Sequence, residues 1–303
     1  MRKSYALSLS VVSLVLLGLA FLGSSCQGTR QPNDKIGVVV TILPQADFVE
    51  NVGGEKVDVT VMVLPGADPH TYELTPSQMV KVSKAKIYAK VGSGVEFELA
   101  WMGKIIDQNR AMLVIDCSKG IQIQMGEMEE YHRDEDNGEH HRGEDPHIWL
   151  SPKNAKLMVG NIYSGLIQVD PHNEAYYTRN RDEYLAKLDS LDKDIQVGLS
   201  GLRNRRFIVF HPAWWYFAKD YNLEQIPIEI SGKEPSAKDI ANLIQKAEEQ
   251  NIKTIFASPQ FNPRSAEIIA KEIGGRVVFI DPIAKDYIGN MRLVLDEFVQ
   301  SME

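Results

Sequence analysis

Residues 171–199 read PHNEAYYTRNRDEYLAKLDSLDKDIQVGL. Within them Tyr177, Tyr184, Leu188, Leu191, Ile195 and Leu199 recur at spacings of three, four or seven, which draws one apolar stripe along a helix. At 1.5 Å per residue the stretch predicts a helix of about 40 Å, long enough to run along two lobes. Four strand-like segments precede it: Ile36–Thr41, Val57–Val63, Lys86–Val91 and Met112–Cys117. Four follow it: Phe207–Phe210, Leu223–Ile230, Ile252–Ala257 and Val277–Ile280. Several are unbroken runs of Val and Ile, as strands buried on both faces are.

Helices fill the intervals. Thr75-Pro76, Ser151-Pro152, Asp170-Pro171 and Asn262-Pro263 each set a capping side chain before a proline at the first helical position. Gly53-Gly54 and Gly274-Gly275 end helices before a new strand. The alternation predicts an α/β fold of two lobes, each a mainly parallel four-stranded sheet flanked by helices, joined by one long connecting helix. The expected boundaries are 35–169 for the first lobe, 170–203 for the connecting helix and 204–303 for the second lobe. Periodicity alone does not separate this from one continuous doubly wound domain.

Arg2 and Lys3, the apolar stretch Leu7 to Leu22, and the small residues Gly23, Ser24 and Ser25 read as a signal peptide over 1–25, with a polar tether over 26–34. Cys26 after small residues resembles a bacterial lipobox, although Gly23 stands where Leu is usual. The chain is therefore expected to be exported, either periplasmic or lipid-anchored at Cys26 on the outer face of the cell membrane. Removing 1–25 takes away two basic residues and no acid, so the net charge of −8 becomes −10. That balance excludes a nucleic-acid partner, which needs a basic surplus. Only Cys26 and Cys117 are present, so no disulfide framework holds the fold, and Cys117 reads as a buried strand residue.

Gly126–Pro146 lacks apolar periodicity and holds nine acids against two arginines. It predicts a solvated loop, with His132, His140 and His141 as an auxiliary metal loop or a contact for a metal-donating protein. A charged loop with no metal role is the alternative.

Three other histidines sit beside prolines: Asp68-Pro69-His70, Asp145-Pro146-His147 and His211-Pro212; Asp281-Pro282 offers a carboxylate in a similar setting. His211 and Asp281 directly follow strands, and His70 follows one by a short turn, where open α/β sheets bind ligands. Each proline stiffens its neighbour's backbone. Three imidazoles and one carboxylate, His70, His147, His211 and Asp281, make a tetrahedral shell suited to Zn2+. A full shell leaves no position for a reactive water, which points to binding and not to an enzyme. His172 reads as a solvated residue, and Trp149, Trp214 and Trp215 as packing between lobes.

In order and spacing, Asp68-Pro69-His70-Thr71-Tyr72-Glu73 with Pro76-Ser77, Asp145-Pro146-His147-Ile148-Trp149-Leu150-Ser151-Pro152, His211-Pro212-Ala213-Trp214-Trp215-Tyr216-Phe217-Ala218, Ser258-Pro259-Gln260-Phe261 and Asp281-Pro282 match one family. The chain resembles the zinc/manganese-type solute-binding proteins of bacterial ABC transporters (cluster 9), in their zinc-specific branch. The resemblance implies two lobes, a rigid connecting helix, and a metal held by His70, His147, His211 and Asp281. It implies capture of Zn2+ between the lobes, delivery to an ABC permease in the cytoplasmic membrane, and a monomer. Members handling Mn2+ often carry Glu at the third position; His211 there favours zinc. Ser258 departs from the Glu of many relatives. The alternatives are a manganese-binding homologue, an adhesive lipoprotein, or a secreted zinc-dependent hydrolase. The last would need a base such as Glu73 or Glu229, and the chain has no His-Glu-x-x-His.

Overall fold

The computed structural model describes residues 35–123, 145–229 and 233–302. Cys26 and the loop histidines His132, His140 and His141 lie outside the described residues.

Eight described strands form two sheets. The first holds β1 (Ile36–Val40), β2 (Val57–Val61), β3 (Ile87–Lys90) and β4 (Leu113–Asp116) in the order β2-β1-β3-β4. The second holds β5 (Arg206–Val209), β6 (Glu224–Pro227), β7 (Thr254–Ala257) and β8 (Arg276–Phe279) in the order β6-β5-β7-β8. Every pair is parallel. Each half therefore repeats one topology, stepping out to its second strand and returning on the other side of its first. That reversal opens a crevice at the carboxyl ends of the strands. Of the segment expected to run as a strand from Leu223 to Ile230, the described residues form strand over Glu224–Pro227. It is an edge strand, the place where a proline without an N–H is tolerated.

The helices are α1 (Leu43–Gly53), α2 (Pro76–Val82), α3 (Glu96–Gln108), α4 (Pro152–Val169), α5 (Glu174–Ser200), α6 (Trp215–Asp220), α7 (Ala237–Glu249), α8 (Arg264–Glu272) and α9 (Tyr287–Met302). Thr75 and Ser151 cap α2 and α4 through their hydroxyls, which accept from Gln78 N and Asn154 N. Two caps differ from expectation. Asp170 accepts from Asn173 Nδ2 and Tyr177 Oη, at 2.6 and 2.8 Å, and not from a backbone N–H, so Pro171–Asn173 is a 3-10 turn before α5. Asn262 Oδ1 accepts from Arg264 N, which leaves Pro263 at the cap itself.

Helix α5 has 27 residues, and all six residues of its apolar stripe are buried. It packs on α4, α1 and α9. One large core joins both halves: β1, β3, α1 and α4 with Phe207 and Val209 of β5, Phe256 of β7, and α9. Side chains alternate across a strand, so Ile208 and Ile255 face away into a smaller cluster with Leu243 and Ala247 of α7 and Ile269 of α8. Trp149 is almost wholly buried; its Nε1 donates to Pro282 O (2.7 Å), and Tyr287 Oη donates to Trp149 O (2.8 Å). These bonds tie the two halves beside the crevice. No described helix is long and apolar enough to cross a membrane.

Candidate metal centre

The Asp-Pro-His stretches fold alike. Asp68 Oδ1 accepts the backbone N–H of His70 at 2.9 Å, and Asp145 Oδ1 accepts that of His147 at 2.8 Å. Aspartate favours this bond to the residue two on, and the intervening proline fixes φ. Each imidazole is thereby aimed by its own local turn. His70 stands in the connection after β2, His147 just before the 3-10 turn Ile148–Leu150, and His211 two residues past β5.

The three rings converge. His70 Nε2 lies 3.2 Å from His211 Nε2, which lies 3.3 Å from His147 Nε2. Tetrahedral zinc–imidazole bonds separate neighbouring nitrogens by roughly 3.3 Å. The three side chains are the metal-competent group among the described residues, with ligand atoms within 4.8 Å of one another. They line a cleft of about 20 Å³ with Glu96, Trp149, Gln260 and Phe261. That is room for an ion or a water and little more.

The outward nitrogens are held as well. His70 Nδ1 meets Glu96 Oε2 at 2.8 Å, His147 Nδ1 meets Asp145 Oδ1 at 2.8 Å, and His211 Nδ1 meets Glu229 Oε2 at 3.2 Å. A carboxylate on Nδ1 keeps the proton there, turns the Nε2 lone pair inward and raises its basicity. Burial pulls His70 down, but the Glu96 hydrogen bond and the charges of Glu96, Asp68 and Glu229 outweigh it and raise its pKa. His211 goes the other way. Burial and its two imidazole neighbours outweigh Glu229, so its pKa is lowered. Burial lifts the Glu96 carboxyl, yet His70 and a backbone N–H hold it below its ordinary value. Phe261 stacks on His211 with centroids 4.8 Å apart and planes 29° apart, covering one side of the cleft.

Asp281, expected as a fourth ligand, lies outside this cluster. It also forms a turn of its own. Asp281-Pro282-Ile283 repeats the fold of Asp68-Pro69-His70, and Asp281 Oδ1 accepts the backbone N–H of Ile283 at 2.9 Å. Asp281 thus corresponds to the aspartates of the other motifs, and Ile283 takes the place of the histidine. The same oxygen accepts from Gln260 Nε2 at 2.8 Å. Sequence reasoning missed Glu96 altogether and considered Glu229 only as a base; it is committed to His211. Glu229 lies two residues past β6 and Glu96 opens α3 after β3, places that border the crevice without telling which imidazole each carboxylate meets. Glu73 is exposed and not part of the cleft lining; His172 is exposed too. Ser258 is buried, and its Oγ has no partner among the described residues.

Two parallel α/β halves closing on a three-imidazole cleft define a solute-binding protein for a metal cation. The family model for the periplasmic zinc-uptake complex component A, ZnuA, matches residues 38–301, and the chain belongs to that family. It is 33% identical over 287 residues to the high-affinity zinc uptake system protein ZnuA of Bacillus subtilis, covering 93% of this chain and 90% of that one. It is 29% identical to the zinc-binding lipoprotein AdcA of Streptococcus pneumoniae, matching 90% of this chain but 55% of that longer protein. A crystal structure of ZnuA superposes with a TM-score of 0.82 at 39% identity, over 89% of this chain and all of the other. A Streptococcus agalactiae laminin-binding protein, described as both adhesin and metal transporter, shares the fold at 24% identity and TM-score 0.78.

Proposed function

We propose that this protein captures Zn2+ outside the cytoplasm through Nε2 of His70, His147 and His211 and delivers it to the membrane permease of an ABC importer. The observation that carries this is the convergence of three Nε2 atoms while every Nδ1 is held by its own carboxylate. An all-imidazole inner set suits zinc better than manganese, which prefers oxygen donors. The zinc-uptake relatives support the same cargo. Glu96, Asp145 and Glu229 orient the ligands, and the buried Trp149–Pro282 bond keeps the halves in register around the ion. Delivery then requires the joint between halves to yield when the permease docks. Attachment through Cys26 belongs to this reading, as does a metal-feeding role for His132, His140 and His141.

The test is zinc binding by metal-stripped protein in competition with a chromophoric chelator and with excess Mn2+. One tight zinc per chain is expected, with His211→Ala weakening it by at least about a thousandfold, the scale of a lost zinc ligand within a total near 10–16 kcal/mol. Near-native affinity in the alanine variants of all three histidines would sink the reading.

A further inference from the structure

The two Asp-Pro-His motifs are anchored to different neighbours. The segment after His147 is lashed to the second half: Trp149 Nε1 donates to Pro282 O, Tyr287 Oη donates to Trp149 O, and Ser151 Oγ donates to Asp220 Oδ2. Asp220 ends α6, the helix that opens four residues past His211. His147 and His211 therefore stand as a preset pair. His70 is held elsewhere, by Glu96 in the first turn of α3. The loop from β3 into α3, residues 91–95, reaches from one to the other. Glu98, 5% exposed, pins this loop by accepting the backbone N–H groups of Val91 and Gly92 at 2.6 and 2.9 Å. Ser118 Oγ donates to Gly92 O at 3.0 Å. Gly92 and Gly94 have φ of 84° and 93°, a region that other residues rarely adopt. Between them the buried Ser93 donates from Oγ to Pro146 O at 2.5 Å. Pro146 directly precedes His147, and its carbonyl also accepts from Ile148 N at 2.9 Å.

We propose that Ser93 is a positioning residue of the cation site: its bond to Pro146 O sets the His70–Glu96 unit against the His147–His211 pair. This rests on the three-histidine reading above and deepens it. The Nε2 atoms stand 3.2 and 3.3 Å apart, and a site of that kind loses affinity when a donor strays by about half an ångström. Local turns aim His70 and His147 singly, but neither turn fixes one ring against the other. A pinned loop with a hydroxyl bonded across the gap does so. Glu96 follows Ser93 by three residues, so a displacement of the loop carries the carboxylate that holds His70.

The experiment measures zinc affinity by chelator competition, and urea unfolding of the metal-free protein, for the wild type, Ser93→Ala, Ser93→Thr, Ser93→Val, His70→Ala, the double variant Ser93→Ala with His70→Ala, and His211→Ala. Ser93→Ala should weaken zinc about tenfold, the low end for an orienting partner, because it acts one step further from the ligand. Ser93→Thr and Ser93→Val match in size and only the first keeps the hydroxyl. Ser93→Thr should therefore bind zinc more tightly than Ser93→Val, whatever the added methyl costs. In the His70→Ala background the Ser93→Ala change should cost no further affinity, since the ring it positions is gone. A hydroxyl that merely holds the fold would lower urea stability and leave zinc affinity alone, or weaken zinc equally in both backgrounds. Wild-type zinc affinity in Ser93→Ala overturns the proposal, and so does an equal loss with and without His70. Equal affinities in Ser93→Thr and Ser93→Val overturn it as well. If His211→Ala binds zinc like wild type, the three-histidine reading fails instead, whatever Ser93 does.

Discussion

The β3–β4 ladder of the first half and the β7–β8 ladder of the second pair over the same number of rungs, from Ile87↔Leu113 to Lys90↔Asp116 and from Thr254↔Arg276 to Ala257↔Phe279. The last rung differs. In the first half it is an ion pair, Lys90 Nζ to Asp116 Oδ2 at 2.9 Å; in the second it is Ala257 beside a half-exposed Phe279. The cores differ in the same sense. The first sheet lies wholly within the large core, whereas the second divides its faces between that core and the smaller cluster under α7 and α8. The histidines follow suit: His70 and His147 are set by local Asp-Pro turns, while His211 relies on Glu229, 18 residues on and on the neighbouring strand's continuation. One topology was thus used twice, and the first copy is the more self-sufficient mould for the metal.

The strongest way to break this comparison is to truncate the two faces of β7. Phe256 packs at 4.6 Å on Phe298 of α9 in the joint core, and Ile255 faces the smaller cluster. Phe256→Ala should cost about 3–5 kcal/mol in urea unfolding and loosen both halves together. Ile255→Ala should sit near the low end for its type, about 2 kcal/mol, and lower hydrogen-exchange protection chiefly in α7 and α8. A larger loss at Ile255 would reverse the assignment of the joint core. Next in size come the carboxylates. Asp145→Ala removes both the backbone bond and the imidazole bond of His147, while Glu229→Ala removes only the latter for His211. Within the usual 10–100-fold cost of such partners, zinc affinity should fall further in Asp145→Ala. Equal losses would mean that the local turn contributes nothing to aiming the ring.

Much of this was legible in the residues. Apolar runs located the strands because parallel strands are buried on both faces, and the stripe from Tyr177 to Leu199 located α5 because a 3.6-residue period has no strand equivalent. His70, His147 and His211 stood out through their prolines. What escaped was the meaning of Asp-Pro. The same dipeptide that aims a histidine at 68 and 145 also occurs at 281 with isoleucine after it, and sequence alone did not show that Asp281 caps a turn of the same kind. Glu96 and Gln260 escaped for another reason. Their partners, His70 and Asp281, are distant in the chain, and no local pattern records a pairing that only the sheet order creates.

The smallest effect sharpens the comparison at the last rung. Burial pushes the Asp116 carboxyl up, but hydrogen bonds from Ser118 and the charge of Lys90 outweigh it and hold its pKa below the ordinary carboxylate value. An acid depressed in the folded state stabilises the fold fully above its unfolded pKa, about 3.9, and loses that contribution as pH falls through the lower folded value. Asp116→Asn should therefore melt below wild type by a constant margin from neutral pH to about pH 5, and the margin should close below about pH 4. Asp116 is well exposed, so the margin reflects a pair worth at most about 1 kcal/mol. Phe279→Asn, at the matching rung of the second half, removes no charge and should show a margin that does not respond to acid. A margin at Asp116 that widens on acidification, or one at Phe279 that closes in parallel, would mean that the difference between the two ladders is not electrostatic.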